Sequence, residues 1–382
     1  MKNFNKLLTI CCLTLMLLAT ILTQVPVYAQ TQIRYLNLPS NSMPMGIVYN
    51  PYNSMVYVAL SGTSQLAEIN KTDLSYVQYD IFDYTRDVAV DGNGDVWVVG
   101  SYRYVAKFLI TNKTIQYIDL RLPAPRIGMS ITYHSGYIWT LNGEFLTKIN
   151  YTTNTIEVQY TLPEQSYAGD MKGDTDILWI TRTDINKVYM FNITSGTIQN
   201  ILLDINRPLG IEIDENYVYV AENKQQSTME FVGTIAIIDK NTLQVDRLNT
   251  TLCGYDGPYY VFKDSYGYLW FTDGSSHLGI VNGTIYTTKT PYCYFMTEVP
   301  TNSSEIWFSG VGSAYVGMKE TGTLGRTDIN KDGKVDLKDY YPVCKWYGKC
   351  VPPAPENCDI NSDGKIDLKD VYAVAKNYGK TL

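Results

Sequence analysis

Positive charge, histidine and long apolar runs are all scarce in this sequence. Lys and Arg number 31 against 38 Asp and Glu, which gives a net charge of −7 at pH 7. A net negative chain without a basic stripe argues against nucleic-acid binding. Two histidines in 382 residues leave little material for histidine-based acid–base chemistry. After the N-terminal segment, no apolar run reaches the roughly 20 residues of a membrane span, so we expect none in the mature protein.

The N-terminal segment holds the one long apolar run. Lys2 and Lys6 precede the stretch LLTICCLTLMLLATIL, and the small-residue ending Val-Tyr-Ala stops at Ala29. This order of charged, apolar and small residues predicts a secretory signal peptide over residues 1–29. An uncleaved membrane anchor is the alternative, because the apolar run nearly reaches spanning length. We favour cleavage, and therefore a secreted, extracellular protein associated with the cell surface.

Tyrosine, by contrast, is abundant, and one aromatic position recurs along the chain. Many of the 33 tyrosines alternate with Val, Ile or Thr, which favours strands over helices. The recurring aromatic residue follows a turn and repeats about every 40 residues, which is the period of a four-stranded propeller blade. We predict that these residues pack in the core rather than contact a ligand. They are Tyr57, Trp97, Trp139, Trp179, Tyr219, Trp270 and Trp307.

Seven first strands predict seven blades, and the two ends of the repeat region provide a check on that number. The seventh unit has second and third strands (EIWFSG and AYVGMK) but no fourth before Gly322. Ile33–Leu38 (IRYLNL) resembles a fourth strand without its first three, similar to Ile115–Leu120 (IQYIDL). Pairing of the two ends would close the ring and remove an exposed edge. The predicted fold is mainly β, a seven-bladed β-propeller over residues 30–320 whose N-terminal strand closes the last blade.

The stretch Lys263–Thr290 (KDSYGYLWFTDGSSHLGIVNGTIYTTKT) shows the repeat most completely. Its Gly/Asp turn, Trp-Phe-Thr-Asp and Leu-Gly-Ile resemble the repeats of streptogramin B lyase-like propellers and related surface propellers. For the lyases of that group, the resemblance implies histidine and acidic residues that eliminate an ester linkage with a magnesium ion. Here His134 lies in a first turn and His277 precedes Leu-Gly-Ile, so we interpret both as structural residues. The lyase chemistry is not carried over, and no catalytic residue is predicted.

The axial face of such a propeller is built by the loops that join blades and the loops between second and third strands. Several arginines in these loops predict a face that recognises carboxylates, for example of an acidic glycan or of a protein partner. The alternative is that they tie blades together through ion pairs and loop carbonyls. The residues predicted for this face are Arg86, Arg126, Arg182, Arg207, Glu222 and Asp273, with Asp184, Asp256, Tyr259 and His277 in the same loops.

Export would permit disulfide bonds between the cysteines that follow the signal. Cys253 and Cys293 stand one repeat period apart, at similar positions of neighbouring blades, and could pair. Cys344, Cys350 and Cys358 are close in sequence. The preferred bridge is Cys350–Cys358 around VPPAPEN, although spacing does not fix connectivity.

Asn-x-Ser/Thr sequons accompany the predicted export and mark sites for N-glycosylation. Most fall at the turn between the third and fourth strands, where Asn and Thr also suit the hairpin turn itself. The two explanations are compatible. The sites are Asn70, Asn112, Asn150, Asn192, Asn249, Asn282 and Asn302.

Residues 321–327 are predicted to be a linker, and residues 328–382 carry the most specific motif of the chain. Asp328–Asp339 places oxygen donors at positions 1, 3, 5, 7, 9 and 12 of a loop with glycine at position 6, the spacing that wraps a calcium ion. The pattern repeats at Asp359–Asp370, so we predict two calcium ions and a metal-folded module. The predicted ligands are Asp328, Asn330, Asp332, Lys334 (through its carbonyl), Asp336, Asp339, Asp359, Asn361, Asp363, Lys365 (through its carbonyl), Asp367 and Asp370.

Two D-x-N-x-D-G loops, each followed by one helix-forming segment (LKDYYPVCKWYG and LKDVYAVAKNYG), resemble dockerin type I modules over Thr327–Gly379. The resemblance implies calcium-dependent binding to a cohesin module through loop positions 10 and 11, and their identity in the two halves would permit two orientations. Cellulosomal modules carry small hydroxylated residues there, and Pro342 is predicted to interrupt the first helix. A divergent surface receptor or the propeller itself is therefore the alternative partner. The predicted partner-binding residues are Leu337, Lys338, Leu368 and Lys369.

These features support three hypotheses of function. The first is an extracellular binding protein whose propeller recognises a glycan or protein and whose tail attaches it to a cohesin-type or other surface receptor. The second is a propeller enzyme, a lyase or a glycan-active protein, that the tail delivers. The third is a structural envelope glycoprotein. Clustered acids with a metal on the axial face would favour the enzyme, and a shallow aromatic or basic face would favour the binding protein.

Overall fold

The computed structural model of the protein describes residues 33–379 with short gaps. The chain separates into two compact units, of which Ile33–Thr321 is one and Gly322–Leu382 belongs to the other. The predicted signal peptide and nearly all of the predicted linker lie outside the described residues. The gaps are residues 83, 102, 124–125, 165–168, 203–204, 226–230, 251–256, 266, 283, 301–304, 313, 321–326, 331–333, 352–353 and 361–364.

The strands of the first unit form seven four-stranded antiparallel sheets, so this unit is a seven-bladed propeller, as predicted. The N-terminal strand is β1 (Arg34–Asn37). Blade one contains β2 (Pro44–Asn50), β3 (Met55–Leu60), β4 (Gln65–Asn70) and β5 (Tyr76–Asp80); blade two contains β6 (Asp87–Val90), β7 (Val96–Val99), β8 (Tyr104–Leu109) and β9 (Thr114–Asp119). Blade three contains β10 (Gly128–His134), β11 (Tyr137–Asn142), β12 (Phe145–Asn150) and β13 (Thr155–Thr161); blade four contains β14 (Met171–Asp174), β15 (Ile177–Arg182), a 3-10 turn (Thr183–Ile185), β16 (Lys187–Asn192) and β17 (Thr197–Leu202). Blade five contains β18 (Pro208–Ile213), β19 (Tyr217–Gln225), β20 (Phe231–Asp239) and β21 (Val245–Asn249); blade six contains β22 (Tyr260–Lys263), β23 (Leu269–Thr272), β24 (His277–Asn282) and β25 (Thr284–Lys289). Blade seven contains β26 (Met296–Val299), β27 (Glu305–Gly310) and β28 (Tyr315–Glu320), followed by β1.

Blade seven joins the two ends of the propeller. β1 runs antiparallel to β28, with Arg34 opposite Met318. Arg34 also forms a 2.5 Å ion pair with Glu305 of β27. Tyr35 packs edge-on against Tyr315, with 5.0 Å between the ring centroids. The N-terminal strand therefore closes the last blade as predicted, and it covers the outer edge of β28.

The hydrophobic core lies between neighbouring blades. The recurring aromatic residues stand on the second strand of each blade and are almost fully buried, from Trp97 at 0% exposed to Tyr219 at 9%. Trp97, for example, packs with Ile131 and Ile138 of blade three. Burial of a side chain of this size stabilises the fold by about 2–3 kcal/mol. The prediction that these aromatic residues are core residues is confirmed.

A buried hydrogen bond orients the tryptophan in blades two and six. The indole Nε1 of Trp97 donates to Asp91 at 2.8 Å, and that of Trp270 donates to Asp264 at 2.8 Å. In both blades the aspartate lies in the turn between the first and second strands, where it also accepts a backbone N–H group. One carboxylate thus organises the turn and satisfies the indole, which explains the fixed spacing between the two residues.

Blades three and four keep the tryptophan but not this hydrogen bond. Strand pairing places His134 and Asp174 at the positions equivalent to Asp91, and Asp174 accepts from Lys240 instead. Within the described part of the chain, neither indole N–H has a hydrogen-bond partner. A buried donor without a partner costs about 1–3 kcal/mol, so packing alone holds these two indoles.

The second unit contains two short helices, α1 (Leu337–Trp346) and α2 (Leu368–Asn377). Asp336 caps α1 and Asp367 caps α2, and in each helix the third residue, also an aspartate, bonds back to the backbone N–H of the cap. This reciprocal capping fixes where both helices begin. None of the helices in the described ranges is long and apolar enough to cross a membrane.

Pro342 lies inside α1, and the helix continues through it to Trp346. The prediction that this proline interrupts the first helix is wrong. The ring fixes φ at a value that a helix accepts, and the loss is limited to the hydrogen bond that the missing N–H would have made. The capping at Asp336 and the packing of Val343, which is fully buried, outweigh that loss.

The two halves of this unit repeat the same contacts. Gly348, after α1, donates its N–H to the carbonyl of Ile366 at 2.8 Å, and Gly379, after α2, donates to the carbonyl of Val335 at 2.8 Å. Val335 and Ile366 occupy position 8 of the two predicted calcium loops, and both are fully buried in one shared core. Each half therefore completes the other, and both contribute to one core.

The cysteines among the described residues are free thiols. Cys358, at the end of a 3-10 turn (Glu356–Cys358), is buried in the core of the second unit, whereas Cys350 is exposed. The predicted Cys350–Cys358 bridge is therefore not shown, and it stays a prediction. Cys293 is buried, and its Sγ donates to the carbonyl oxygen of His277 at 2.9 Å. Its predicted partner, Cys253, lies outside the described residues.

Four of the predicted glycosylation sites organise their own turns. In each, the asparagine Oδ1 accepts the backbone N–H of the residue two positions later, which is an Asx turn. These contacts support the turn explanation, and glycosylation stays a prediction. Asn249 ends β21, and Asn302 and the side chain of Asn282 lie outside the described part. The four are Asn70, Asn112, Asn150 and Asn192.

Candidate functional site

A cavity of about 260 Å³ lies among the first strands of the propeller blades. Side chains of β2, β6, β10, β14, β22 and β26 line it, so it lies where the blades meet at the propeller axis. Its wall combines charged and aromatic groups. Among these are Asp87, Tyr133, Asp170, Lys172, Tyr260, Phe262 and Phe295.

A second hollow, here named the axial mouth, adjoins this axial cavity. Asp170, Tyr260 and Phe295 line both spaces, so the two meet at these side chains. Arg86 and Tyr259 stand at the mouth and are hydrogen-bonded to each other. Each of the two directly precedes a first strand, β6 or β22, which places the mouth where the inter-blade loops enter the channel.

Seven equivalent positions, one in each blade, form an axial ring. Each position directly precedes a buried apolar residue of a first strand. The ring has an acidic arc in blades two to four and an aromatic arc in blades six and seven, where the centroids of two rings lie 5.2 Å apart. Glycine separates the two arcs on both sides. In blade order the axial ring is Gly46, Asp87, Ser130, Asp170, Gly210, Tyr260 and Phe295.

The two carboxylates of the acidic arc reach from one blade to the next. Asp87 accepts the N–H of the following residue at 2.8 Å and that of Ile131 in blade three at 3.1 Å. Asp170 accepts the N–H of the following residue at 2.8 Å and that of Ile211 in blade five at 3.1 Å. Backbone donors therefore hold both carboxylates in fixed positions at the axis.

Ser130 links these carboxylates. Its hydroxyl donates to Asp170 at 2.8 Å and is also hydrogen-bonded to Asp87. Burial, reinforced by the charge of Asp170, raises the pKa of Asp87 to about 7. Burial also raises the pKa of Asp170.

Lys172 contributes an ammonium group to the wall of the axial cavity. Its Nζ lies 3.1 Å from a carboxylate oxygen of Glu212. Burial acts to lower the pKa of Lys172, but the nearby carboxylates of Glu212, Asp170 and Asp87 outweigh it and raise the pKa. The lysine stays charged and is held by Glu212. The lining of the axial cavity thus carries two carboxylates, Asp87 and Asp170, and one ammonium that pairs with Glu212, while Arg86 adds a positive charge at the axial mouth.

Two of the arginines predicted for the axial face join blades instead. Arg126 forms a two-point ion pair with Glu144, with distances of 2.9 and 3.1 Å. Arg182 is fully buried and donates to the backbone carbonyls of Gly143, at 2.7 Å, and Glu164. These contacts agree with the alternative that the arginines tie blades together. Neither side chain lines the described part of the axial mouth.

The other predicted face residues are also placed apart. Glu222 is fully buried and pairs with Arg247 at 2.9 Å within blade five. Arg207 is exposed and adopts a positive φ of 40°. Asp273 is buried at the start of the loop before β24. Of the six predicted residues, Arg86 is the one that the described mouth contains.

Both histidines make contacts that stabilise their surroundings. The Nε2 of His134 lies 2.8 Å from the carbonyl oxygen of Thr175 and connects blades three and four. The Nδ1 of His277 lies 2.9 Å from Asp273, whose other oxygen accepts the backbone N–H of His277 at 2.9 Å. The first contact agrees with the structural interpretation. The second contact also orients an imidazole, an arrangement that acid–base chemistry uses.

The structure places the predicted calcium ligands only in part. Asp328, Asp339, Asp359 and Asp370 are buried, with at most 8% of their surface exposed. Within the described part of the chain, no group of three or more His, Cys, Asp or Glu side chains is arranged as a metal site. The two calcium ions therefore stay a prediction. Asp332, Asn361 and Asp363 lie outside the described residues.

Asp87 and Asp170 are absent from the face residues predicted from the sequence. Both belong to first strands (DVAVD and AGDMK), but the sequence does not show that these strands bring the two carboxylates together in the axial ring. A comparison of the seven first strands at the position before the buried apolar residue would have shown two acids among glycine, serine and aromatic residues.

Comparison with known proteins identifies the fold. No protein-family profile matches the chain, and no curated protein matches it. Virginiamycin B lyase from Staphylococcus aureus superposes with a TM-score of 0.64 at 18% identity, over 75% of this chain and 98% of the lyase. A catalytically inactive histidine-to-alanine variant of that lyase with quinupristin gives 0.63 at 17% identity, over 75% and 99%. The WD40 domain of Neurospora crassa Pan2 gives 0.61 at 7% identity, over 75% and 96%. At these identities the likeness establishes a seven-bladed propeller that resembles the lyase in fold.

Proposed function

We propose that this protein is an extracellular binding protein with two working parts. The propeller recognises a ligand or partner at its axial mouth. The C-terminal unit is a calcium-folded, dockerin-like module that attaches the protein to a cohesin-type or other surface receptor. The observation that carries the proposal is the pair of matched apolar surfaces that α1 and α2 expose.

The two helices expose equivalent side chains to nearly equal extents. Leu337 and Leu368 are 68% and 69% exposed, and Tyr341 and Tyr372 are 68% and 66% exposed. Each leucine is followed by a lysine and stands one helical turn before the tyrosine, so leucine and tyrosine lie on the same face. Paired large apolar groups that a small unit exposes favour a binding surface.

The repetition of the two halves gives this surface its symmetry. The caps of α1 and α2 and the bonds from Gly348 and Gly379 are the same in both halves. A partner that recognises one face therefore meets the same chemistry on the other after a rotation of about half a turn. Such a module supports binding in either of two orientations.

The calcium part of the proposal rests on the chemistry of the donor set. The loops combine carboxylates, asparagine side chains and backbone carbonyls, which are the oxygen ligands that Ca²⁺ takes. Asp339, at position 12, is fully buried and accepts the backbone N–H groups of Asn330 at 3.0 Å and Asp336 at 2.8 Å. Buried carboxylates are unfavourable unless donors or a cation compensate them. The residues present fit a calcium ion.

The docking role is tested with the full-length protein and a panel of purified cohesin modules, by surface plasmon resonance in calcium and in EDTA. One double variant, Leu337→Ala with Tyr341→Ala, removes the α1 face, and Leu368→Ala with Tyr372→Ala removes the α2 face. Each alone is expected to keep the affinity within about twofold, whereas all four substitutions together reduce it at least about 100-fold. Tyr52→Ala, at a 58% exposed tyrosine of the propeller, is the control.

Three outcomes would count against the docking role. Loss of binding on removal of one face would contradict the two orientations. Binding that survives EDTA unchanged would contradict the role of calcium. Binding of no module in the panel, by a protein that still takes up calcium, would contradict a cohesin-type partner.

A propeller enzyme is the second candidate, and the Asp273–His277 pair favours it. A histidine that a carboxylate orients at 2.9 Å has the arrangement of a general base. The test is incubation of the full-length protein with quinupristin and magnesium, with the product detected by mass spectrometry. Turnover that disappears in His277→Ala would establish the enzyme. No turnover by the unaltered protein would argue against a lyase of this type.

A further inference from the structure

We propose that the axial cavity binds a small organic ammonium group, held between the carboxylates of Asp87 and Asp170 and the rings of Tyr260 and Phe295. The inference names the ligand class for the proposed recognition role of the propeller and does not depend on docking by α1 and α2. It replaces the expectation of a carboxylate-binding face. Four observations support it: charge, ring geometry, the flanking glycines and size.

The charge at the axis calls for a cation. Asp87 and Asp170 receive hydrogen bonds from backbone N–H groups and from Ser130, whereas the ion pair of Lys172 is with Glu212. Counted together, the carboxylates of Asp87, Asp170 and Glu212 exceed by one the positive charges of Lys172 and of Arg86, which is hydrogen-bonded to Tyr259 at the mouth. The two carboxylates of the acidic arc, fixed by backbone donors, remain to face the cavity. A ligand ammonium would add the positive charge that these groups lack.

The aromatic arc provides the opposite wall. The rings of Tyr260 and Phe295 lie 5.2 Å apart between centroids and are tilted by 54°. Both belong to the lining of the cavity, together with Phe262 and Tyr133. The face of an aromatic ring attracts an organic cation, and the attraction increases where water is excluded. Carboxylates on one side and aromatic faces on the other are the combination that recognises alkylammonium groups.

Glycines at the two junctions leave room for one member of each arc. A Cβ on Gly46 would lie 2.6 Å from Oδ1 of Asp87, and a Cβ on Gly210 would lie 2.6 Å from Cδ2 of Tyr260. Any larger residue at either position would push the carboxylate or the ring aside. The sequence therefore provides, in blades one and five, the space that the carboxylate of Asp87 and the ring of Tyr260 occupy.

The size of the space selects an organic cation over a bare metal ion. The cavity volume of about 260 Å³ is far larger than the roughly 10–15 Å³ that one water molecule needs. A calcium or magnesium ion would require about six oxygen ligands, and the acidic arc provides two carboxylates. A small alkylammonium or quaternary ammonium compound would fill the space and contact both walls, entering through the axial mouth.

The experiment is isothermal titration calorimetry of the full-length protein with n-butylammonium chloride. The uncharged probe n-butanol and the inorganic salts sodium chloride and potassium chloride are titrated in parallel. We expect binding of n-butylammonium and no comparable binding of n-butanol. Asp170→Asn is expected to weaken n-butylammonium binding at least about tenfold, the loss of a desolvated charge–charge contact. Asp119→Asn, at a surface carboxylate paired with Arg103, is the matched control and is expected to change nothing.

Because Asp170 also joins blades, Phe295→Leu is the second variant. It keeps an apolar side chain and is expected to weaken n-butylammonium binding about fivefold through loss of the ring face. Thermal melting and circular dichroism establish that each variant is folded. Equal affinity for n-butanol and n-butylammonium would overturn the proposal. Unchanged n-butylammonium binding in folded Asp170→Asn and Phe295→Leu would do the same, as would binding of sodium or potassium alone.

The outcome is separable from that of the docking experiment. The variant that lacks the exposed leucines and tyrosines of α1 and α2 is expected to bind n-butylammonium as the unaltered protein does. Phe295→Leu is expected to leave receptor binding unchanged. Failure of one experiment therefore leaves the other interpretable.

Discussion

The recurring aromatic residues of the propeller have different polar surroundings although they occupy the same place in each blade. Trp97 and Trp270 donate to an aspartate of the preceding turn. Trp139 and Trp179 have no hydrogen-bond partner for the indole N–H among the described residues. The shared requirement is therefore the apolar ring, and the hydrogen bond is an addition in particular blades.

This difference predicts which of two substitutions destabilises the protein more. Trp97→Phe and Trp139→Phe remove the same atoms from equally buried positions, but only the first leaves the Asp91 carboxylate without its indole donor. We expect Trp97→Phe to lower the free energy of unfolding by about 1–2 kcal/mol more than Trp139→Phe. Urea denaturation of the two variants measures the difference. Equal destabilisation would mean that the indole hydrogen bond contributes nothing.

Asp214 is expected to make the stability of the fold depend on pH. Burial acts to raise the pKa of this carboxyl, but hydrogen bonds from Lys263, from the backbone of Tyr217 and from the hydroxyl of Tyr219 outweigh it and lower the pKa to about 2. The folded state thus favours the ionised form. The resulting stabilisation is fully present above the ordinary aspartate pKa of about 4 and is lost as the pH falls towards 2.

Asp214→Asn provides the test of this linkage. The free energy of unfolding is measured for the variant and the unaltered protein between about pH 5 and about pH 2. The unaltered protein is expected to be the more stable at the upper end, and the difference is expected to shrink as the pH falls. A difference that stays constant across this range would show that Asp214 does not carry the effect.

Residues whose role follows from local pattern could be predicted from the sequence, and residues whose role depends on distant neighbours could not. Trp97 and its equivalents repeat with a fixed period and follow a turn, so their burial follows from local pattern. Asp87 and Asp170 form part of an axial ring only because seven first strands meet at one axis, which the sequence does not show. Arg126 and Arg182 show the converse case, because the chain does not reveal that Glu144 and the carbonyl of Gly143 lie within their reach.

At the element scale, the short strand β1 closes the propeller. Its four residues pair with β28 and complete blade seven. The isolated IRYLNL segment and the missing fourth strand predicted this pairing, because a propeller cannot leave two complementary edges open without exposing unpaired backbone groups.

Deletion of residues 31–38 tests this closure. The variant is expected to expose the edge of β28, to lose the Arg34–Glu305 ion pair, and to associate through the open edge. Size-exclusion chromatography and thermal melting of the purified variant check the expectation. A monomeric variant with an unchanged melting temperature would contradict the role of β1. Arg34→Ala, which removes the ion pair but keeps the strand, is the control and is expected to remain monomeric.

The helices of the second unit show where element-level prediction succeeds and fails. The apolar spacing after each loop predicted α1 and α2, and both begin at the aspartate of position 9. The predicted interruption at Pro342 was wrong. Helix capping and core burial decide that feature, and neither can be derived from residue type alone.

At the scale of the whole molecule, the protein combines a propeller with a small second unit whose two halves share one core. Repeat period and strand pattern predicted the first, because each blade must bury its faces against its neighbours. We propose that the second depends on a calcium-ligand set that the chain supplies in duplicate. The account of function therefore rests on whether those loops take up calcium.

Calcium titration of the full-length protein by isothermal titration calorimetry tests that claim most directly. The account predicts two bound ions in the unaltered protein, and the loss of one ion in Asp328→Ala and of one in Asp359→Ala. Asp246→Ala, at an exposed position of β21, is the control and is expected to bind two. Absence of calcium binding in the unaltered protein, or binding that both loop variants leave unchanged, would contradict the calcium-folded docking module.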